Sequence, residues 1–223
     1  MIKPKKNHFV SQRGTSQIVR GNGKRYTIRN NRQRFFFPDE WNAFYDCLKE
    51  SQKPTFEFLI NTGARIMEIQ NIKISDCDFE RGNVVLRVTK RIINRPGKQK
   101  EGTRTIRILS VSTKFCRYLQ KIIRKNNLKQ DDFFPILSTP AANIAMKKAL
   151  QKAGIEDYDM FSLHNCRKTL ECWLMALGID SFKMVKHFGH SINVALKHYL
   201  SPDIFNNEDK IMMRQIIGDL FEK

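Results

Sequence analysis

The sequence predicts an α+β fold, mainly α, with one small antiparallel sheet of about three strands. Three observations carry this. Apolar residues recur at helical spacing on both sides of the middle of the chain, the stretch from about 72 to 109 changes to β-type runs, and glycines and prolines mark the boundaries between them.

The elements follow in chain order. Pro38-Asp39-Glu40 suits the first turn of a helix, where proline is tolerated and acids complement the dipole. Trp41, Phe44, Tyr45 and Leu48 then recur as a core-facing stripe. A second helix is expected over about 54–61, with Phe56, Leu59 and Ile60, ending before Gly63. Val84-Val85-Leu86-Arg87-Val88 follows an Arg81-Gly82-Asn83 turn, and Thr103-Arg104-Thr105-Ile106-Arg107-Ile108-Leu109 alternates apolar and polar residues. Pro96-Gly97 between them signals a turn. Helices then return. Ser112 is placed to cap a run bearing Phe115, Leu119, Ile122 and Ile123, and Thr139-Pro140 opens another that Gly154 closes. Residues 163–177 form a third, ended by Gly178, and short helices follow at about 181–187 and 192–199. In the tail, 208–221 puts Ile211, Met212, Ile216, Leu220 and Phe221 on one face, to pack on its own body or on a neighbour.

Composition divides the 223 residues into an arm at 1–35, a main domain at 36–202 and a tail helix at 203–223 that is a candidate contact between protomers. The first 34 residues hold ten Lys or Arg and no Asp or Glu, interrupted by Gly14, Gly21 and Gly23, and read as a flexible basic DNA-binding arm. Phe9, Tyr26 and Ile28 allow part of it to form a strand. The net charge of +18 calls for a polyanionic partner, since clustered cations gain affinity by releasing counterions from phosphates. Charge alone leaves a membrane-surface protein or an RNA binder open. Five scattered cysteines without a Cys-x-x-Cys pair point away from zinc and toward reduced thiols in a cytoplasm. Neither a membrane-spanning run nor a secretory leader is found.

Three segments carry chemistry. The first is Thr62-Gly63-Ala64-Arg65-Ile66-Met67-Glu68, and the second is Leu163-His164-Asn165-Cys166-Arg167. The third, Phe188-Gly189-His190-Ser191, is followed by Tyr199 nine residues after the histidine. A guanidinium offers a planar fork of donors suited to phosphate oxygens. His164 and Arg167, spaced i and i+3, fall on one helix face. In order and spacing these segments resemble the Arg…His-x-x-Arg…His…Tyr signature of the tyrosine recombinases, the phage integrase family. The resemblance covers residues 36–202 and implies a short integrase of archaeal, viral or plasmid origin.

The resemblance implies the following roles. Tyr199 is the nucleophile; Tyr26, Tyr45, Tyr118 and Tyr158 lack the Gly-His-Ser spacing. Arg65 and Arg167 hold the scissile phosphate, His164 exchanges a proton with the tyrosine, and His190 hydrogen-bonds the phosphate. A lysine in the hairpin between the second and third strands protonates the leaving oxygen: Lys90 first, with Lys98 and Lys100 as alternates. Glu68 buttresses the site by hydrogen bonding, and Lys168 fills a position after the second arginine that is often basic. Arg107 stands where proline is common, open to a further phosphate contact. His187 and His198 carry no family role and are expected to be solvated. No cofactor and no metal are implied. The implied reaction is site-specific recombination of double-stranded DNA through a 3′-phosphotyrosyl intermediate, by a dimer or tetramer assembled on DNA. The helical domain that usually precedes this one is missing from the chain, which makes it either naturally short or truncated. Two rivals remain: a type IB topoisomerase-like relaxing enzyme, and a non-catalytic DNA-binding regulator derived from an integrase.

Overall fold

A computed structural model describes residues 8–12, 15–19, 24–28, 34–89, 104–189 and 204–221. The expected helix at 192–199 lies outside them. Where an arm with a single strand was expected, β1 (His8–Gln12), β2 (Thr15–Val19) and β3 (Arg25–Ile28) form an antiparallel meander in the order β1-β2-β3. The second sheet follows the sequence reading: β4 (Cys77–Asp78), β5 (Asn83–Thr89) and β6 (Arg104–Ser110), antiparallel in that order.

The rest of the domain is helical: α1 (Pro38–Asp46), α2 (Lys53–Thr62), the short α3 (Ile66–Ile69), α4 (Thr113–Asn126), α5 (Thr139–Lys152), α6 (Leu163–Ala176), α7 (Ser181–Phe188) and α8 (Asn207–Ile217). Their ends are chemically specified. Ser112 and Ser138 accept hydrogen bonds from Phe115 N and Ala141 N at the starts of α4 and α5. Gly63 and Gly189 end α2 and α7 in the left-handed conformation that a Cβ disfavours.

The core joins the entry to α1 with α6. Phe36 packs on Trp41, Phe44 and Phe161, and its carbonyl accepts from Trp173 Nε1 at 3.0 Å. The domain is described from Arg34, two residues before its expected start at 36. Arg34 is fully buried, paired to Asp157 at 2.6 Å and Glu40 at 2.7 Å, with its guanidinium 4.4 Å from the centre of the Phe161 ring. Its carbonyl accepts from Asn165 on the first turn of α6. A charge buried this deeply is tolerable only when paired on several sides. This triad therefore fixes where the chain enters the domain.

The tail packs on its own body. Met213, Ile216, Ile217 and Leu220 are buried, and Asp219 accepts from Thr113 N and Oγ1 at 2.7 and 2.8 Å. Ile211, expected in the buried stripe, is instead exposed.

The strand alternation is present, but its buried face differs from the apolar one. Register pairs Val84 with Leu109 and Leu86 with Arg107. Val84, Leu86 and Leu109 are wholly buried, while Ile106 and Ile108 on the opposite face are 63% and 61% exposed. Arg107 thus lies on the face turned to the helices.

Candidate active site

The site grows from the junction of α2 and α3. Gly63 turns the chain at φ +59°, and Arg65 then opens α3 in extended conformation. Glu68, one turn on, accepts from Arg65 N at 2.8 Å and from an Arg65 terminal nitrogen at 2.9 Å. This carboxylate cap holds the Arg65 backbone while its side chain stays 58% exposed, able to meet an anion.

Arg167 comes from the second turn of α6 and is buried. One terminal nitrogen donates to Gly63 O at 2.8 Å and the other to Phe188 O, with the guanidinium 5.0 Å from the centre of the Phe188 ring. Among the described residues these bonds use two of its five N–H donors. Arg107 completes the group: its terminal nitrogens donate to Glu68 at 3.0 Å and to Phe188 O. Its Nε is buried without a hydrogen-bond partner among the described residues.

Three guanidiniums and one carboxylate thus share a small volume. Burial pulls the Arg167 pKa down to about 10, helped by the like charges of Arg107 and Arg65. Arg107 is lowered for the same first reason, with Glu68 opposing and Arg65 adding to the shift. Three guanidiniums against one carboxylate leave positive charge that the acid does not neutralise. A bound anion would relieve that excess, so the arrangement is preorganised for one.

His187 corrects the sequence reading. It is buried, and its Nε2 donates to Thr62 O at 3.0 Å, a direction fixed because the carbonyl can only accept. Burial drives its pKa down to about 3, with Arg107 and Arg167 lowering it further. A histidine near the end of a short amphipathic helix reads as solvated. The Phe188 and Phe221 rings that cover it, each 5.1 Å away, come from its neighbour and from the far end of the chain. His164 is exposed at the start of α6, one turn before Arg167 on the same face. Lys168 is buried, and desolvation lowers the pKa of its ammonium.

The structure therefore brings Arg65, Glu68 and Arg167 together. Tyr199, His190, Lys90, Lys98, Lys100 and His198 lie outside the described residues. The carbonyls of Thr62, Gly63 and Phe188 went unseen in the sequence, because any residue supplies a carbonyl. The helix-ending glycine in Thr-Gly-Ala-Arg was the available signal.

A model of the phage integrase family matches residues 34–204. The chain belongs to the phage integrase family. The match starts at Arg34, the residue of the buried triad. This family member is similar to the integrase of Salmonella phage P22, at 25% identity over 186 residues, 73% of this chain and 45% of that protein. It thus spans less than half the length of that relative. Among solved structures it is similar to the XerA recombinase, with TM-score 0.57 and 19% identity over 82% of this chain and 64% of that one. It is also similar to the integrase of transposon Tn1549, solved with transposon right-end DNA (TM-score 0.56, 16% identity, 80% and 64% covered). A third is the integrase of mycobacterium phage Brujita (TM-score 0.54, 13% identity, 84% and 57% covered). At these identities the likeness is one of fold. The mainly helical domain with its small antiparallel sheet is the tyrosine recombinase catalytic fold. No helix among the described residues is long and apolar enough to cross a membrane.

Proposed function

We propose that this chain is the catalytic domain of a site-specific DNA recombinase, cutting and rejoining strands through a 3′-phosphotyrosyl intermediate without metal or ATP. The observation that carries the reading is the pairing of an exposed Arg65 with a buried Arg167, like charges whose repulsion an anion between them would relieve. The Phe188 carbonyl, which accepts from Arg167 and Arg107, lies two residues before His190 in the chain.

In this reading the Tyr199 oxygen attacks the scissile phosphorus and its proton passes to His164. Arg65, Arg167 and His190 bind the non-bridging oxygens as charge grows on them. The bond to the 5′-oxygen breaks, and a hairpin lysine, Lys90 ahead of Lys98 and Lys100, protonates the leaving oxygen. A 5′-hydroxyl from a partner strand then reverses the step and releases Tyr199. Exchange between two duplexes requires a dimer or tetramer on DNA, and the basic N-terminal segment supplies sequence-independent phosphate contacts.

The test uses nicked duplexes of randomised sequence, in which the short fragment bearing the 5′-hydroxyl diffuses away and traps the adduct. The trapped peptide should contain Tyr199, form in the presence of a chelator, and vanish with Tyr199→Phe while DNA binding persists. An adduct of normal yield from Tyr199→Phe overturns the assignment. Relaxation of supercoiled plasmid without recombinant product would assign religation of the same strand instead.

A further inference from the structure

We propose that Arg107 is a positioning residue whose planar fork ties Glu68 to the Phe188 carbonyl and thereby sets both phosphate-binding arginines. The proposal rests on the reading of Arg65 and Arg167 as phosphate ligands.

The strand itself raises the question. On β6 an arginine occupies the buried face, opposite Leu86 and two residues from the buried Leu109, while Ile106 and Ile108 are turned outward. Shifting the strand by one residue would bury both isoleucines and expose the arginine. The fold keeps the opposite arrangement, although burial disfavours the Arg107 charge. Local patterning that loses in this way marks a residue held for another reason.

The contacts supply that reason. Glu68 accepts from Arg107 on the same oxygen that caps the Arg65 backbone, and its other oxygen takes the Arg65 side chain. Phe188 O accepts from Arg107 and from Arg167. One guanidinium therefore reaches both arginines, each through a single shared acceptor. The turn beyond is shaped around it: a Cβ on Gly189, at φ +65°, would sit 2.9 Å from an Arg107 terminal nitrogen. His190 is the next residue.

Charge sharing gives the fork a second effect. Glu68 is buried between two guanidiniums. Without Arg107 its carboxylate would face Arg65 alone and hold that side chain against itself, in competition with a phosphate. Arg107 takes part of the carboxylate and leaves Arg65 available. Two of its N–H donors hold these acceptors, and by way of them its effect on the phosphate runs through Arg65 and Arg167. A lysine ammonium carries the charge but has no planar fork to span the two acceptors.

The full chain carrying Arg107→Lys, Arg107→Gln, Glu68→Gln or the Arg107→Gln/Glu68→Gln pair is compared in two assays. The first is single-turnover cleavage at saturating nicked DNA, with DNA affinity measured alongside. The second is titration with inorganic phosphate, read on the guanidinium 15N–1H signals of Arg65 and Arg167, which needs no reaction at Tyr199. Both Arg107 variants should cleave at least tenfold more slowly, with DNA affinity within about twofold of wild type, and bind phosphate several-fold more weakly. The pair should be no worse than its slower single variant, as expected for residues acting through one contact. Glu68→Gln approaches the fork from its other end and decides the matter if the Arg107 variants do not fold. A near-normal rate for Arg107→Lys would show that charge alone suffices and overturn the proposal. Unchanged phosphate affinity, or independent multiplication of the two losses in the pair, would overturn it as well. A wild type that binds phosphate but forms no adduct would refute the recombinase reading and leave the phosphate titration to decide Arg107.

Discussion

Replacing Gly63 by alanine tests the packing that seats Arg167. Gly63 has φ +59°, and a Cβ there would lie 2.4 Å from the Phe188 ring and 3.2 Å from Leu170. The ring cannot swing aside cheaply: it is wholly buried, lies edge-on to His187 and carries the Arg167 guanidinium over its face. The left-handed backbone costs a non-glycine residue about 1–2 kcal/mol. Forcing a methyl into a filled site costs about 1–3 kcal/mol more. Gly63→Ala should therefore lose about 2–5 kcal/mol, a drop in Tm on the order of 10 °C for a chain of this size. Gly154 provides the control, because it also has positive φ, +72°, yet a Cβ there meets nothing within 4 Å. Gly154→Ala should show the backbone part alone, about 1–2 kcal/mol. Urea unfolding of both variants measures the difference. If Gly63→Ala loses no more than Gly154→Ala, the close approach of Phe188 to the α2–α3 turn is wrong.

Five further outcomes are expected. His187 is held neutral down to about 3 against an ordinary value of 6.5, so its contribution is fully present above about 6.5 and is lost as pH falls toward 3. Urea midpoints at pH 7 and pH 4 should therefore diverge more for wild type than for His187→Gln, and parallel profiles would refute the burial. Arg65→Ala and Arg167→Ala should each slow cleavage about a hundredfold or more. Only Arg167→Ala should also cost stability, about 1–3 kcal/mol, since the Gly63 carbonyl loses that donor while Phe188 O keeps Arg107; equal Tm losses would contradict the division into exposed and buried arginines. A substrate with a 5′-bridging phosphorothiolate needs no leaving-group acid, so it should rescue the slow variant among Lys90→Ala, Lys98→Ala and Lys100→Ala; rescue of none places the acid elsewhere. Deleting residues 1–33 should flatten the dependence of log affinity on log salt by several units, at roughly 0.9 per phosphate released. Arg34→Met should instead cost about 3–5 kcal/mol by stranding Glu40 and Asp157, and an unchanged melting curve would remove the triad from the account.

Much of the domain was legible because its signals are local. Ser112, the Thr139-Pro140 pair and Gly178 mark helix ends through chemistry confined to one turn, and the structure uses each of them there. Arg65, Glu68 and Arg167 were legible as a motif, since their spacing is tied to two helix starts. The face of β6 was not. Alternation reports a strand but cannot say which face is covered when an arginine is turned inward by an acid 39 residues away. His187 was misread for a related cause: its covers are Phe188 and Phe221, and its acceptor is the carbonyl of Thr62, 125 residues earlier. Arg34 was assigned to the arm because its neighbours are basic, while its partner Asp157 stands 123 residues on. Long-range pairing of single charged side chains leaves no periodic trace.

The crowding of guanidiniums around Glu68 also bears on how a pH–rate profile for this protein is to be read. Arg167, pulled down by burial to about 10, still stays charged through the neutral range. The grip on an anion is thus constant from mildly acidic to mildly basic solution. Any inflection in rate over that range reports a proton on a histidine, a lysine or the tyrosine. The arginines form a fixed electrostatic background, against which the groups that do move protons can be counted one at a time.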